Sequence, residues 1–185
     1  MLIAGKYEIL RELGRGGMGV VYLANHVEME RPCALKMLHL AAMSEPDALA
    51  RFHREARSAS RISHPNVVAV YDFGKTEEGA AYLAMEYVEG NSLDQLLPEG
   101  TALAPRRTAR IIWQVANGLA VAHDLGIVHR DLKPANIMLT RYRHWDDFVK
   151  VVDFGIAKPI GATTRSNVTT TGLRVGTPMY MSPEQ

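Results

Sequence analysis

The chain has 185 residues, of which 47% are hydrophobic, and this fits one domain with a substantial core. The 21 Lys and Arg residues nearly balance the 20 Asp and Glu residues, which argues against a nucleic-acid-coating protein or a polybasic membrane protein. The lone cysteine, Cys33, cannot form an internal disulfide, and neither a secretory signal nor a bilayer-spanning apolar run occurs. We therefore expect a cytoplasmic location.

A glycine-rich segment separates two predicted strands, 7–13 and 20–26. The segment, Gly14-Arg15-Gly16-Gly17-Met18-Gly19, has the spacing G-x-G-x-x-G. A dinucleotide-binding fingerprint would have a helix directly after the glycines, whereas here the β-branched run Val20-Val21 follows. This excludes a Rossmann-type oxidoreductase. A plain hairpin turn stays open beside a loop whose backbone N–H groups approach phosphates.

Two charged residues stand out in the next predicted elements. Lys36 lies in an apolar strand, 33–36, and Glu55 lies on a helix expected to open at 46–47 and to run to about residue 62. Lys36 could be a gatekeeping charge on an edge strand. Glu55 could be the i,i+4 partner of Arg51 on a solvated helix face.

The following predicted elements are two strands, 66–73 and 80–85, a short helix, 92–97, and a long helix, 105–125. The long helix has apolar residues at helical spacing, which predicts a core-facing stripe made of Ile111, Ile112, Val115, Leu119 and Ala122.

The most informative segment follows the long helix. His129-Arg130-Asp131-Leu132-Lys133-Pro134-Ala135-Asn136 is followed by Asp153-Phe154-Gly155. Phosphoryl transfer needs a carboxylate to receive a hydroxyl proton, a cation for the moving phosphoryl group, and two oxygen ligands for Mg²⁺. Any one of these residues alone is more often a solvated polar residue. Their joint spacing indicates a phosphoryl-transfer site.

These motifs resemble those of eukaryotic-type (Hanks-type) Ser/Thr protein kinases, and the segments 85–90 and 180–185 look most like bacterial members. The resemblance implies an α+β, two-lobed protein-kinase-like fold. Its N-lobe, 1–87, would hold a five-stranded antiparallel sheet and one helix, and its mainly helical C-lobe, 88–185, would be incomplete. ATP and Mg²⁺ would be the cofactors and protein hydroxyl groups the substrates, with Lys133 and Thr177 favouring Ser/Thr over Tyr.

The resemblance also implies roles for single residues. The catalytic residues would be Asp131, Lys133, Lys36 and its ion-pair partner Glu55, and the metal ligands Asn136 and Asp153. Nucleotide binding would involve residues of the glycine-rich segment, the strands and the hinge between the lobes: Leu13, Gly14, Gly16, Gly19, Val21, Ala34, Lys36, Glu86, Val88 and Met138. His129 and Cys33 are interpreted as buried packing residues.

Regulation is expected at Thr169 and Thr171, which lie where the family carries the phosphosites of its activation loop. The cations expected to hold such a phosphate are Arg51, Arg130 and Lys158. We expect autophosphorylation at these threonines, and self-association is open. The alternative is a flexible polar loop tip without a regulatory role.

The sequence departs from the family pattern in two places. An insert, 141–147, lengthens a loop and has no predicted function. The family also continues beyond Gln185 with helices that would cover the apolar face of the helix 105–125. We therefore expect an N-terminal fragment of the catalytic domain that has little activity alone and tends to associate, from a parent that a later segment could anchor in a membrane. The alternative function is a nucleotide-binding or protein-interaction module without catalysis.

Overall fold

The computed structural model describes residues 2–16, 19–39, 48–97, 101–154 and 180. Its larger sheet consists of six strands: β1 (Leu2–Ile3), β2 (Tyr7–Gly16), β3 (Gly19–His26), β4 (Arg31–Leu38), β5 (Val70–Lys75) and β6 (Ala81–Glu86). The strand order is β1-β2-β3-β4-β6-β5, and all neighbours are antiparallel. Five of these are the predicted strands, and β1 is a two-residue addition at the edge.

A helix, α1 (Ala48–Ala59), packs on this sheet. Phe52, Ala56 and Ala59 recur at helical spacing and are buried. The predicted helix is longer, and its opening at 46–47 lies outside the described residues. It ends before residue 62 because Ile62 N donates to Ala59 O at 3.1 Å, a turn tighter than an α-helix.

The described residues after β6 form two α-helices, a 3₁₀ turn and a small sheet. The helices are α2 (Leu93–Leu96) and α3 (Pro105–Asp124), and the turn is Pro134–Asn136. The sheet has the order β7-β8-β9 and consists of β7 (Asn91–Ser92), β8 (Ile137–Tyr142) and β9 (Trp145–Val151). The insert 141–147, predicted as a lengthened loop, instead forms the end of β8, a tight turn and the start of β9.

The apolar stripe of α3 is largely as predicted. Ile111, Val115 and Ala122 are buried in one cluster with residues of β8 and β9. The prediction is wrong for Ile112, whose side chain is 53% exposed. It lies about 100° around the helix from Ile111 and therefore points away from the core.

The segment before β5 connects the two sheets. The predicted strand 66–73 is too long at its start, because 66–68 pair with β9 rather than with β6. Val68 N donates to Val151 O at 3.0 Å, and Val151 N donates to Asn66 O at 2.8 Å. The buried Asn66 side chain also donates to Val149 O at 2.9 Å. This connection fixes the larger sheet against the end of β9, from which the candidate site begins.

Candidate active site

Asp131 and Asn136 are brought together by a short irregular loop. The 3₁₀ turn at Pro134 reverses the chain, so that Asn136 Nδ2 donates to Asp131 O at 2.8 Å and lies 3.4 Å from Asp131 Oδ2. Lys133 Nζ lies 3.4 Å from the same carboxylate oxygen. Because Nδ2 faces Asp131, the side-chain oxygen of the buried Asn136 is the atom available to a cation.

Asp153 reaches this loop from the end of β9. Val152 N donates to Asn136 O at 3.0 Å, which places Asp153 directly beside Asn136. The Asp153 carboxylate accepts from Lys36 Nζ on β4 at 2.7 Å. Residues that are 117 positions apart in the sequence thus meet in one ion pair. Four predicted residues, Lys36, Asp131, Asn136 and Asp153, therefore lie in one connected set.

His129 is buried beneath this set. Asp131 N donates to its Nδ1 at 3.3 Å, so that Nε2 carries the proton and donates to Val152 O at 2.9 Å. The ring lies 4.6 Å from that of Phe154. Burial lowers the pKa of His129, which keeps the imidazole neutral. These contacts agree with a packing role and leave no imidazole nitrogen for catalysis.

The predicted ion pair between Lys36 and Glu55 is not formed in the structure. Among the described residues, Lys36 pairs with Asp153, while Glu55 lies 3.4 Å from Arg130. The physical reason is competition, because the Asp153 carboxylate holds Lys36 and the Arg130 guanidinium holds Glu55. Arg130, Glu55 and Arg54 also border a cleft of about 200 Å³ between α1 and the segment 125–130.

The glycines of the first loop divide into two kinds. A Cβ on Gly14 or Gly16 would have no neighbour within 4 Å, so the space beside them is open. A Cβ on Gly19 would overlap the Met37 carbonyl group on β4, so packing alone requires this glycine. Residues 17–18 lie outside the described part of the chain.

The predicted adenine-binding residues lie partly together. Ala34 is buried in an apolar cluster that also contains Met85 of β6, and Val21 and Val88 pack against that cluster. Leu13 lies on β2 and is 37% exposed. Met138 lies on β8, paired with Lys150.

Lys150 is a residue that the sequence analysis missed. Its Nζ donates to the Glu86 carboxylate at 2.7 Å, and both side chains are at most one-quarter exposed. Glu86 also accepts from Ala69 N at 3.3 Å. The side chain of Glu86 thus anchors the end of β6 to β9, which leaves the backbone of Glu86 as the candidate adenine contact. A single lysine in the apolar run 148–152 was the available signal.

Several predicted site residues lie outside the described part of the chain. They are Gly155, Lys158, Thr169, Thr171, Thr177 and the Ser182-Pro183-Glu184 motif.

A comparison with known protein families identifies the family of this chain. The family model described as protein kinase domain matches residues 7–185. The chain belongs to the protein kinase domain family. The predicted family and fold class are thus confirmed.

The relatives of this kinase chain include bacterial Ser/Thr protein kinases. It is 47% identical over 184 residues to the serine/threonine-protein kinase pkn3 of Myxococcus xanthus, covering 99% of this chain and 34% of the relative. It is 41% identical over 183 residues to PrkC of Bacillus subtilis, covering 99% of this chain and 27% of the relative. The chain thus spans about a third of the length of these relatives or less.

The fold is similar to that of solved kinase domains. The crystal structure of the Mycobacterium tuberculosis PknI kinase domain is 36% identical, with a TM-score of 0.74, and the match covers 85% of this chain and 62% of that one. Within the described residues, no helix has the length and apolar character needed to cross a membrane.

Proposed function

We propose that the protein carrying this chain is an ATP-dependent Ser/Thr protein kinase that transfers the γ-phosphoryl group of ATP to protein hydroxyl groups. One observation carries the proposal: Lys36, Asp131, Asn136 and Asp153 form a connected set within a partly buried site. The similarity of this chain to relatives that are named Ser/Thr protein kinases supports the same activity.

Each residue has a task that its contacts favour. Asp131 Oδ2 would receive the proton of the substrate hydroxyl, with Lys133 beside it at 3.4 Å to limit the charge that builds up during transfer. Lys36 would leave Asp153 and bind the phosphates. Its side chain is only 13% exposed, so its interaction with a phosphate is weakly screened by water.

The donor atoms fit Mg²⁺. The side-chain oxygen of Asn136 and the carboxylate of Asp153 are hard ligands on neighbouring backbone segments, and Asp153 is 35% exposed. When bound, Mg²⁺ would neutralise charge on the phosphate oxygens. Adenine would lie between the proposed lobes, 1–87 and 88–185, against Ala34 and Val21 and the backbone of Glu86 and Val88.

Turnover of radiolabelled ATP by the full-length protein tests the proposal. We expect Asp131→Asn and Asp153→Asn to lose nearly all phosphoryl transfer, because they remove the proton acceptor and a metal ligand while preserving size. Asp146→Asn, an exposed residue of the β8–β9 hairpin, is the matched control and should retain activity. Phosphoamino-acid analysis should find phosphoserine or phosphothreonine. Undiminished turnover by Asp153→Asn would refute the metal assignment.

A second candidate function is nucleotide binding without phosphoryl transfer. It is favoured by the pairing of Lys36 with Asp153, because a lysine that neutralises a metal ligand opposes metal binding. Binding of a fluorescent ATP analogue without turnover would support this function, and turnover would exclude it.

We infer a cytoplasmic location, which fits a free thiol at Cys33.

A further inference from the structure

Lys150 is a largely buried cation of β9 that the proposed reaction does not use. Its Nζ lies 2.7 Å from each of the two oxygens of the Glu86 carboxylate, at the end of β6. The side chains of Lys150 and Glu86 are only 14% and 25% exposed. Water therefore screens this ion pair weakly, and the loss of one partner would leave the other charge partly buried and uncompensated.

The Glu86 carboxylate lies where three segments of the chain meet. Besides Lys150, it accepts from Ala69 N at 3.3 Å, and Glu86 N donates to Ala69 O at 2.9 Å. Ala69 belongs to the segment before β5, in which Val68 N donates to Val151 O of β9. One carboxylate thus fastens the end of β6 both to that segment and to β9. The position of the Glu86 backbone relative to β9 therefore depends on this carboxylate.

His64 is the other titratable group near Lys150. Burial lowers the pKa of His64, and the Lys150 ammonium group lowers it further. The Nδ1 atom of this imidazole accepts from Asn66 N at 3.1 Å. The imidazole is therefore neutral near its ordinary working pH of about 7. Glu86 is thus the charged partner of Lys150 among the described residues.

The hinge segment, 86–90, is held to the small sheet near both of its ends. Lys150 on β9 holds the carboxylate of Glu86, and Thr140 on β8 donates from Oγ1 to the Glu89 carbonyl group. Of these two contacts, the first joins opposite charges. The stretch between them includes the backbone that is proposed to face adenine. The small sheet therefore sets where this backbone lies.

Lys150 also lies beside the proposed adenine site on the sheet. It is paired with Met138 of β8, so the two side chains project from the same face of the sheet. Farther along β9, Val152 N donates to Asn136 O, and Asp153 follows directly. The strand that carries Lys150 thus leads to a proposed metal ligand. A hinge that is fastened to this strand is also fixed relative to that ligand.

We propose that Lys150 is a positioning residue for the nucleotide, which acts through Glu86 and selects adenine over purines that lack the 6-amino group. The role rests on the proposed function, in which adenine lies against the backbone of Glu86 and Val88. The Glu86 carbonyl group would accept from the 6-amino group, and Val88 N–H would donate to the ring. Lys150 fixes the residue whose carbonyl group must meet the 6-amino group.

Nucleotide binding to the full-length protein tests this role. ATP and purine riboside triphosphate, which lacks the 6-amino group, each displace an ATP analogue that has a fluorescent label on its ribose. Lys150→Met should weaken ATP binding about tenfold, the loss typical of one well-placed hydrogen bond. Binding of purine riboside triphosphate should change about twofold or less, because it makes no hydrogen bond to the Glu86 carbonyl group. Selectivity for adenine should therefore fall, whereas a purely structural loss would weaken both nucleotides alike.

Further variants separate positioning from folding. Lys150→Arg keeps the charge and should retain most of the selectivity. Glu86→Gln keeps the shape but not the charge, so it should lower the selectivity in the same direction, and it replaces Lys150→Met if thermal unfolding shows that variant to be unfolded. The double variant should bind ATP no more weakly than Lys150→Met, because both changes act through one pair. Lys75→Met, which removes an exposed lysine at the end of β5, is the matched control and should bind both nucleotides as the unmodified protein does.

Two outcomes would overturn the role of Lys150. They are unchanged selectivity for adenine in both Lys150→Met and Glu86→Gln, and an equal loss of affinity for the two nucleotides. The measured quantity is binding rather than turnover. A protein that binds ATP with the expected selectivity but transfers no phosphoryl group would therefore refute the proposed function and leave this role standing.

Discussion

Arg130 and Asp153 share a backbone conformation that side chains rarely adopt, with φ angles of 60° and 57°. Such a conformation costs on the order of 1–3 kcal/mol for each residue. His129 supports both positions, because its ring accepts from Asp131 N and donates to Val152 O, the backbone groups next to the strained residues. The strain therefore sits where the two carboxylates of the proposed active site must be aimed.

This role of His129 predicts a pH dependence of stability. Burial lowers its pKa below the ordinary 6.5, so the unfolded chain takes up a proton at a higher pH than the folded chain. The free energy of unfolding should therefore be fully retained above about pH 7 and should fall as the pH drops through 6.5 towards the lower folded pKa. His129→Gln should weaken this dependence.

Urea unfolding between pH 7.5 and 5.5 measures the effect. Burial also lowers the pKa of His64, so His64→Gln is the matched control and separates the two contributions. Equal pH slopes in the unmodified protein and in His129→Gln would contradict the prediction.

A second prediction at this scale concerns the glycines of the first loop. Gly19→Ala should destabilise the protein by about 2 kcal/mol or more, because its Cβ would push β3 away from the Met37 carbonyl group. Gly16→Ala should leave stability nearly unchanged, since nothing lies near its Cβ, but should weaken ATP binding if phosphates occupy that open space. Thermal unfolding with and without Mg-ATP distinguishes the two. A loss of stability in Gly16→Ala equal to that in Gly19→Ala would refute this division.

At the scale of elements, local sequence predicted the segments well and their partners poorly. The strand carrying Lys36 and the loop carrying Asp131 follow from apolar runs and from a motif whose residues are close in sequence. The start of β5 was wrong because Val68 pairs with β9, a choice made by tertiary contacts. The same reason explains why the contacts of Glu55 with Arg130 and of Lys150 with Glu86 could not be predicted. In both pairs the two residues are more than 60 positions apart in the sequence.

The contact between α3 and β9 depends on one buried amide. Gln114 Oε1 accepts from Asn66 Nδ2 and from Val149 N, both at 3.1 Å, and its Nε2 donates to Asp147 O at 2.9 Å. Gln114→Leu should lower the free energy of unfolding by about 3 kcal/mol, because buried backbone groups lose their partners. Asn117→Leu is the matched control on the same helix and should cost much less. Chemical denaturation tests this, and equal losses in the two variants would count against it.

At the scale of the whole molecule, three ion pairs between described residues link the first part of the chain to the second. They join Lys36 to Asp153, Glu55 to Arg130 and Glu86 to Lys150. The last, at 2.7 Å, holds the end of β6 to β9, whereas the first two involve residues of the proposed active site. Exchange of partners within those two pairs would give the Lys36–Glu55 pair expected from the family resemblance. The structure thus holds the components of that pair in another arrangement.

We expect phosphorylation of Thr169 or Thr171 to drive this exchange. A phosphate carries nearly two negative charges and would compete with the Glu55 carboxylate for Arg130. With Arg130 on the phosphate, the Glu55 carboxylate would exchange to Lys36, and Lys36 would leave Asp153. The weak geometry of the present contact, 3.4 Å with Arg130 47% exposed, makes such competition energetically easy.

Kinase assays on the full-length protein test the exchange. Thr169→Ala combined with Thr171→Ala should slow phosphoryl transfer. Arg130→Ala removes both a ligand for the phosphate and one competitor for Glu55. Its unphosphorylated form should therefore be at least as active as the unphosphorylated parent, and phosphorylation should add little. Arg57→Ala, an exposed arginine on the same helix as Glu55, is the matched control and should keep the full response. If the double alanine variant, shown by mass spectrometry to lack loop phosphate, kept full activity, the exchange would not be driven by phosphorylation.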